Sequence, residues 1–543
     1  MRVGERGSWL SGPSGVRLQL LLLVTACVPS AAQSEAPEGV IGREVAVARH
    51  LKDGEEYSLS LSALVEHGRL LFSAKWTDQE GGGRPLTKGT GAVLSDPSRP
   101  LVFPRNFNRL SGPDANSCAG CHNQPYGIPG GSGEFVTNVF VLAQRFDSLD
   151  FDTSEVGLTV GSRDEVGRLA TLNESANSRA TTGLFGTGYI ELLAREMTVE
   201  LRAIRDATEP GETRSLVAKG ISFGTIRRIE DGRWDVSGVQ GIPLSSVATF
   251  GSDDRPALTL KPFHQAGAVA SLREFTNNAL NQHHGIQSTE SFGVDNDWDG
   301  DGVSNEVTRA DVTALAVYQA TLAVPGRVIP RQREIEEAVL AGERTFGEIG
   351  CASCHVPALP LASALFEEPG PYNPSRTLQV DDAPMLTLDL NDSRLPPPRL
   401  RDVDRTTWVP AFTDLKLHDI TEGVGDPNFE PLNMQLPAGL QGFFGGNGRF
   451  VTRRLWGAGN QGPYYHHGKF TTLREAVLAH AGEAWESAGA FRSLDELGQA
   501  EIIEFLKSLQ VLPPGTPHRV VDAFYAARRW PPLWASDGDS SSP

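Results

Sequence analysis

The sequence is poor in cysteine, methionine, basic charge and long apolar runs, and each shortage narrows what the chain can be. Five cysteines in 543 residues are too few for a disulfide scaffold. After the first residue the only methionines are Met197, Met385 and Met434, each read as packing rather than as a ligand. The run Leu18 to Ala26 is far shorter than the roughly 20 apolar residues that cross a bilayer, and no later run is both that long and continuously apolar. Lysine and arginine number 49 against 67 acidic residues, a net charge of −18, which excludes a broad nucleic-acid surface. Hydrophobic residues at 39% and charged residues at 21% exclude a disordered or fibrous chain. What is plentiful is punctuation. With 58 glycines and 36 prolines, irregular segments are expected between the helices, and helical repeat arrays are not. At roughly 100–200 residues per domain, the length implies two or more domains.

Arg2, Arg6 and Arg17 precede the Leu18 to Ala26 run, and Ser30-Ala31-Ala32 follows it, the layout of an export signal. Two maturation routes fit. One is cleavage after Ala32. The other is lipidation at Cys27, because Val24-Thr25-Ala26-Cys27 is similar to a bacterial lipobox. Either places the mature protein outside the cytoplasm, in the periplasm or on the outer surface, with a lipid anchor in the second case.

The remaining four cysteines carry the chemistry. They form Cys118-Ala119-Gly120-Cys121-His122 and Cys351-Ala352-Ser353-Cys354-His355. In such a pentapeptide two thiols take the vinyl groups of one haem while the histidine offers its imidazole to the iron. Two copies in an exported chain with no other mature cysteine imply two covalent c-type haems, against zinc or redox-disulfide alternatives.

Weak internal echoes accompany the two motifs. Gly68 and Phe72 precede the first with the spacing that Gly342 and Phe346 show before the second. Leu184-Phe185-Gly186-Thr187-Gly188 is echoed by Leu455-Trp456-Gly457-Ala458-Gly459. A mainly α fold is expected: two cytochrome c-like haem domains with long irregular loops and a small β insertion in the first, where Ile221 to Trp234 alternates like a strand. The expected layout is a leader over 1–32, an N-terminal haem domain over 45–328 and a C-terminal one over 329–515. A loose tail over 516–543 completes it.

A third motif lies between the haem motifs. Asp295, Asp297, Asp299, Gly300, Asp301 and Glu306 fit a D-x-D-x-D-G-x5-E loop, in which carboxylates ring one Ca²⁺ and glycine makes the turn. Trp298 inside it is read as packing, with an electronic bridge between the haems as the alternative.

Four segments, SCAGCHNQP from Ser117, DWDGDGVSNE from Asp297, TDLKLHD from Thr413 and RLWGAGNQGPYYHHGKFTTLREAVLAHAGE from Arg454, resemble the di-haem oxidoreductases related to bacterial di-haem cytochrome c peroxidases. The likeness spans residues 55–515. It departs at Pro262-Phe263-His264-Gln265-Ala266-Gly267, where the family often has a Gly-Arg-Phe-Gly-Trp-Lys-like stretch. Thr472-Leu473-Arg474-Glu475 forms a capping box opening a helix, and His480 ends its apolar stripe of Leu473, Ala476 and Val477. Because relatives place a methionine ligand at this helix position, the resemblance implies His480 as the second haem's sixth ligand. It also implies Glu191, after the first glycine motif, as an acid–base group. His264, His283 and His284 are further candidates around the first haem, without support from spacing. Tyr464, Tyr465, His466 and His467 are expected to pack on the second haem's edge, and His418 carries no derived role.

The implied function is a peroxidase-like oxidoreductase taking electrons at the C-terminal haem, from a redox protein or a quinol chain, and reacting with peroxide or oxidising a substrate at the N-terminal one. A dioxygen-dependent oxygenase, as in the more distant rubber-cleaving di-haem dioxygenases, and a pure electron carrier remain as alternatives.

Overall fold

Two glycines decide how the haem motifs are framed. In the computed structural model Gly68 lies on the helix Leu61–Ser73, where a Cβ would sit 2.1 Å from the Ala314 carbonyl oxygen of the helix Arg309–Ala320. Gly342 does the same on the helix Arg333–Glu348, 1.9 Å from the Glu501 carbonyl oxygen of the helix Glu496–Ser508. Only glycine permits backbones to approach so closely. The phenylalanine one turn later is thereby presented to the haem motif: ring centroids are 6.0 Å apart for Phe72 and His122, and 6.2 Å for Phe346 and His355. The repeated Gly-x-x-x-Phe spacing thus has one physical use in both places.

The structure describes residues 42–83, 115–140, 162–163, 169–170, 176–249, 254–375, 377–433, 435, 442 and 445–532. The leader, including Cys27, lies outside them, as does Met434. Val45 onward forms one compact unit. Its main core gathers the helices Thr187–Asp206 and Arg309–Ala320 with Leu71, Phe72 and Trp456. A smaller apolar cluster around Phe346, Phe412, Phe491 and Phe505 sits by the second motif. There Phe505 meets Phe346 and Phe412 edge-on at 5.3 and 5.7 Å, contacts worth about 0.5–1.5 kcal/mol each beyond area burial.

The fold is not mainly α. Helix accounts for 32% and strand for 17%, the strands lying in several small sheets. These are two- and three-stranded and mostly antiparallel, such as Thr213–Ala218 with Ile221–Arg228 and Trp234–Asp235, or Leu359–Leu361 with Thr406–Val409. The cause is the glycine and proline content: short segments between turns satisfy their backbone by local pairing instead of by helix. The described part of the tail is also built in, contrary to a loose extension. Val520–Asp522 pairs in parallel with Gly326–Ile329, Arg331 bonds Asp522 at 2.6 Å and the Trp530 indole donates to Glu343 at 2.8 Å.

Candidate haem centres

Each haem motif opens onto a cavity and turns its histidine the same way. In the first, the Cys118–Cys121 helical turn ends at His122, whose Nδ1–H donates to the Gly131 carbonyl at 3.0 Å. A carbonyl can only accept, so the neutral ring leaves Nε2 as its lone-pair nitrogen, the form a metal requires. Burial lowers His122 to about 4, so the ring is neutral at physiological pH. Burial also pushes the Cys118 thiol up to about 12. No disulfide joins any of the four described cysteines.

The first cavity, about 1060 Å³ of space that opens to solvent, is lined by Cys118, Cys121 and His122. Across it stand Arg179, His264, Gln265, His283 and His284. His284 Nδ1 bonds the Ala115 carbonyl at 2.7 Å, with Nε2 3.2 Å from Cys118 Sγ. The last turn before it, Leu280–His284, is π-helical, a widening common at functional sites. His264 adopts a left-handed φ of 66°, unusual outside glycine and concentrated at functional sites. Tertiary closure therefore gathers three histidines that sequence spacing leaves apart.

The second cavity, about 1540 Å³, is lined by Cys351, Cys354, His355 and His480. Burial raises the Cys351 thiol to about 11. His355 Nδ1–H donates to the Phe412 carbonyl at 3.1 Å, and burial lowers this ring to about 4. The Thr472–Glu475 capping box is present at the start of the helix Leu473–Leu478. His480 follows just beyond that helix and donates from Nδ1 to the Ala476 carbonyl at 2.8 Å; burial lowers its pKa as well. Both imidazoles are thus held neutral with Nε2 as the lone-pair nitrogen. His418 also lines this cavity. Burial opposes its charge, but Asp414 at 2.8 Å raises it to about 10, with Cys354 adding to the effect, and Glu483 lies 2.7 Å from its other nitrogen. Tyr464, Tyr465 and His466 line the wall, whereas His467 turns aside to Asn428 at 2.8 Å. Paired cysteines and pinned imidazoles fit haem.

Glu191 is not among the residues lining either cavity. Fully buried, it accepts from Arg195 at 2.6 Å through Oε1 and from the Leu272 amide at 2.8 Å through Oε2. It fastens the helix Thr187–Asp206 to the start of Leu272–Ala279. Burial raises its pKa, with Arg195 opposing. Met197 is buried in the core and Met385 is exposed.

The acidic loop is brought together in part. Ligand oxygens of Asp297, Asp299 and Asp301 lie within 4.8 Å of one another. Asp295 instead pairs with Asn305, which donates to it at 2.7 Å. Burial lifts Asp299 to about 7 and Glu306 to about 10, with the neighbouring aspartates adding to both. Both oxygens of Asp299, one of Asp301 and one of Glu306 are buried without a hydrogen-bond partner. Orphaned carboxylate oxygens around one point are what a hard cation satisfies. Trp298 is half exposed, donates its indole to the Phe292 carbonyl at 2.8 Å and lines neither cavity.

Residues 400–509, about a fifth of the chain, match the family described as "Di-haem oxidoreductase, putative peroxidase". The chain is similar to the di-haem oxidoreductases. With that match come haem as the cofactor type and oxidoreduction as the enzyme class, the substrate left open. No curated protein matches the chain. Among solved structures, hydrazine synthase of Kuenenia stuttgartiensis, in a crystal pressurised with xenon, shares 15% identity over 58% of this chain and 87% of its own, with a TM-score of 0.25. That score is too low to support comparison of folds. Sequence reasoning missed Arg453 and Arg454, which line the second cavity; their only signal was two adjacent charges ahead of the apolar Leu455-Trp456.

Proposed function

We propose that this is an exported di-haem c-type oxidoreductase of peroxidase type. Electrons enter at the haem bound through Cys351, Cys354 and His355. Peroxide is reduced, or a substrate oxidised, at the haem bound through Cys118, Cys121 and His122. The asymmetry of the two cavities carries this reading. In the second, His355 and His480 are both pinned through Nδ1 to carbonyls, and the two imidazoles would together hold a haem iron suited to electron transfer. In the first, His122 shares a large cavity with several polar groups.

Haem supplies one-electron chemistry and, at an open iron, a place for the oxidant. The chain supplies the rest. Reducing H₂O₂ to two waters consumes two protons and two electrons, and O–O cleavage is eased when a side chain moves a proton from the near oxygen to the far one, which leaves as water. His264, His283 and His284 line the cavity and are of the right chemistry. The electrons come from a one-electron donor, a redox protein or quinol-linked carrier. Asp297, Asp299, Asp301 and Glu306 hold one Ca²⁺ with a structural role.

Resting ferric protein from a cytochrome-maturing host should show one high-spin and one low-spin haem, only the first binding cyanide, and should oxidise a reduced donor when peroxide is added. Two low-spin haems that ignore cyanide would establish an electron carrier. Inertness to peroxide combined with dioxygen uptake would establish an oxygenase.

A further inference from the structure

Three arginines with less than a tenth of their surface exposed, Arg179, Arg195 and Arg273, are paired with acids. Arg273 meets Glu290 at 2.7 Å and Glu368 at 2.8 Å; Arg195 meets Glu191 at 2.6 Å; Arg179 meets Glu430 at 2.8 Å. Arg453 and Arg454 are not so paired. Among the described residues neither forms an ion pair, and Arg454 donates to a neutral acceptor, the Gly183 carbonyl. Arg453 is exposed to the cavity it lines, and Arg454 beside it is half-buried. Two adjacent guanidinium groups on a cavity wall, with no acid paired to them, are a ready site for an anionic group.

Where they stand identifies it. Both arginines line the cavity that also holds Cys351, Cys354, His355 and His480. They line as well a smaller cavity of about 510 Å³ together with Thr182, Leu184 and His264, which belong to the first haem's wall. A c-type haem is fixed to its cysteines along its vinyl edge, and its opposite edge carries two propionates. Guanidinium is the side chain best matched to carboxylates, through paired N–H donors.

We propose that Arg453 and Arg454 anchor the propionates of the haem bound at Cys351 and Cys354, turning that edge toward the first haem's cavity. The assignment rests on the di-haem reading above. It makes the two arginines positioning residues that also set the potential: a nearby positive charge favours the reduced haem, so its removal lowers the potential.

The test is an optical redox titration of the haem-loaded, full-length protein and its Arg453→Gln, Arg454→Gln and Arg453→Lys variants, with haem content checked by mass. In the Gln variants the second haem should become at least tenfold harder to reduce, about 59 mV for one electron. The first haem should move less, and Arg453→Lys should restore most of the shift. Added acetate should leave the wild type unmoved. If loss of the Gly183 contact unfolds Arg454→Gln, Arg453→Gln decides alone. Two haems present with unchanged potentials would overturn the anchor while sparing the di-haem reading. A saturable acetate shift, lost in the Gln variants, would overturn it in favour of a free-anion site. A mature chain without haem at the second motif would overturn both.

Discussion

The Arg454 guanidinium donates to the carbonyl oxygen of Gly183, joining two segments of similar sequence that are 271 positions apart. Arg454 precedes Leu455-Trp456-Gly457 as Gly183 precedes Leu184-Phe185-Gly186. The echoes pack on each other: a Cβ on Gly186 would lie 2.6 Å from the Trp456 ring, and Gln461 crowds both Gly183 and Gly457. The correspondence extends to the haem ligands. The backbone of Thr182 influences His122 as that of Arg453 influences His355. The seam between the two centres is therefore made of one motif used twice, with arginines only in the second copy.

Glu191→Gln separates an anchor from an acid. Breaking one partner of a buried ion pair costs roughly 3–5 kcal/mol, and Arg195 would be left facing a neutral amide. The expected outcome is a clear loss of thermal stability with peroxide turnover, measured well below the melting point, within about tenfold of wild type. A fall of 10²–10⁴-fold in an intact fold, the usual size for a lost acid–base group, would return Glu191 to the chemistry.

His480→Ala should turn the second haem from low to high spin, visible by EPR, and slow electron delivery while leaving cyanide binding at the first haem intact. A surviving low-spin signal would remove His480 from the iron.

Acid should loosen the N-terminal segment. Asp311 accepts from His50 and His67, each at 2.7 Å, and from the Leu51 amide at 3.0 Å. Burial alone would raise its pKa, but these bonds hold it well below the usual range. A carboxyl depressed in the folded state gives stability that is complete above its unfolded value, about 3.9, and is lost as pH falls toward the folded value. Wild-type stability should therefore drop below about pH 4, more steeply than that of Asp311→Asn, which starts lower and lacks this component. Parallel slopes in denaturant melts across pH would refute the assignment.

Local chemistry was legible and closure was not. The haem pentapeptides, the Thr472–Glu475 cap and the paired Gly-x-x-x-Phe spacings are fixed by neighbours within a turn or two, and each recurs in the structure. Which face of a helix meets a cavity depends on partners far along the chain. So Glu191 is turned toward Arg195 and Leu272, while His264, His283 and His284 converge on the cavity of His122. The mainly α expectation failed because strands such as Leu359–Leu361 and Leu386–Asp389 are too short for alternation to reveal.

The acidic loop shows how register hides in a repeat. Aspartates at every second position from Asp295 to Asp301 let two registers of a D-x-D-x-D-G loop fit the sequence, one ending at Gly300 and one at Gly302. The structure gathers Asp297, Asp299 and Asp301 and gives Asp295 to Asn305. With several carboxylates crowded at one point, a cation should stabilise the fold by mass action, about 2.7 kcal/mol at a free concentration a hundredfold above Kd. Chelation should lower the melting temperature and Ca²⁺ should restore it. Asp297→Asn should weaken Ca²⁺ binding, measured by calorimetry on the chelated protein, by at least tenfold, whereas Asp295→Asn should change it by less than threefold. Equal losses would return Asp295 to the coordination sphere, and a melting curve indifferent to both chelator and Ca²⁺ would reduce the loop to a cluster of acids.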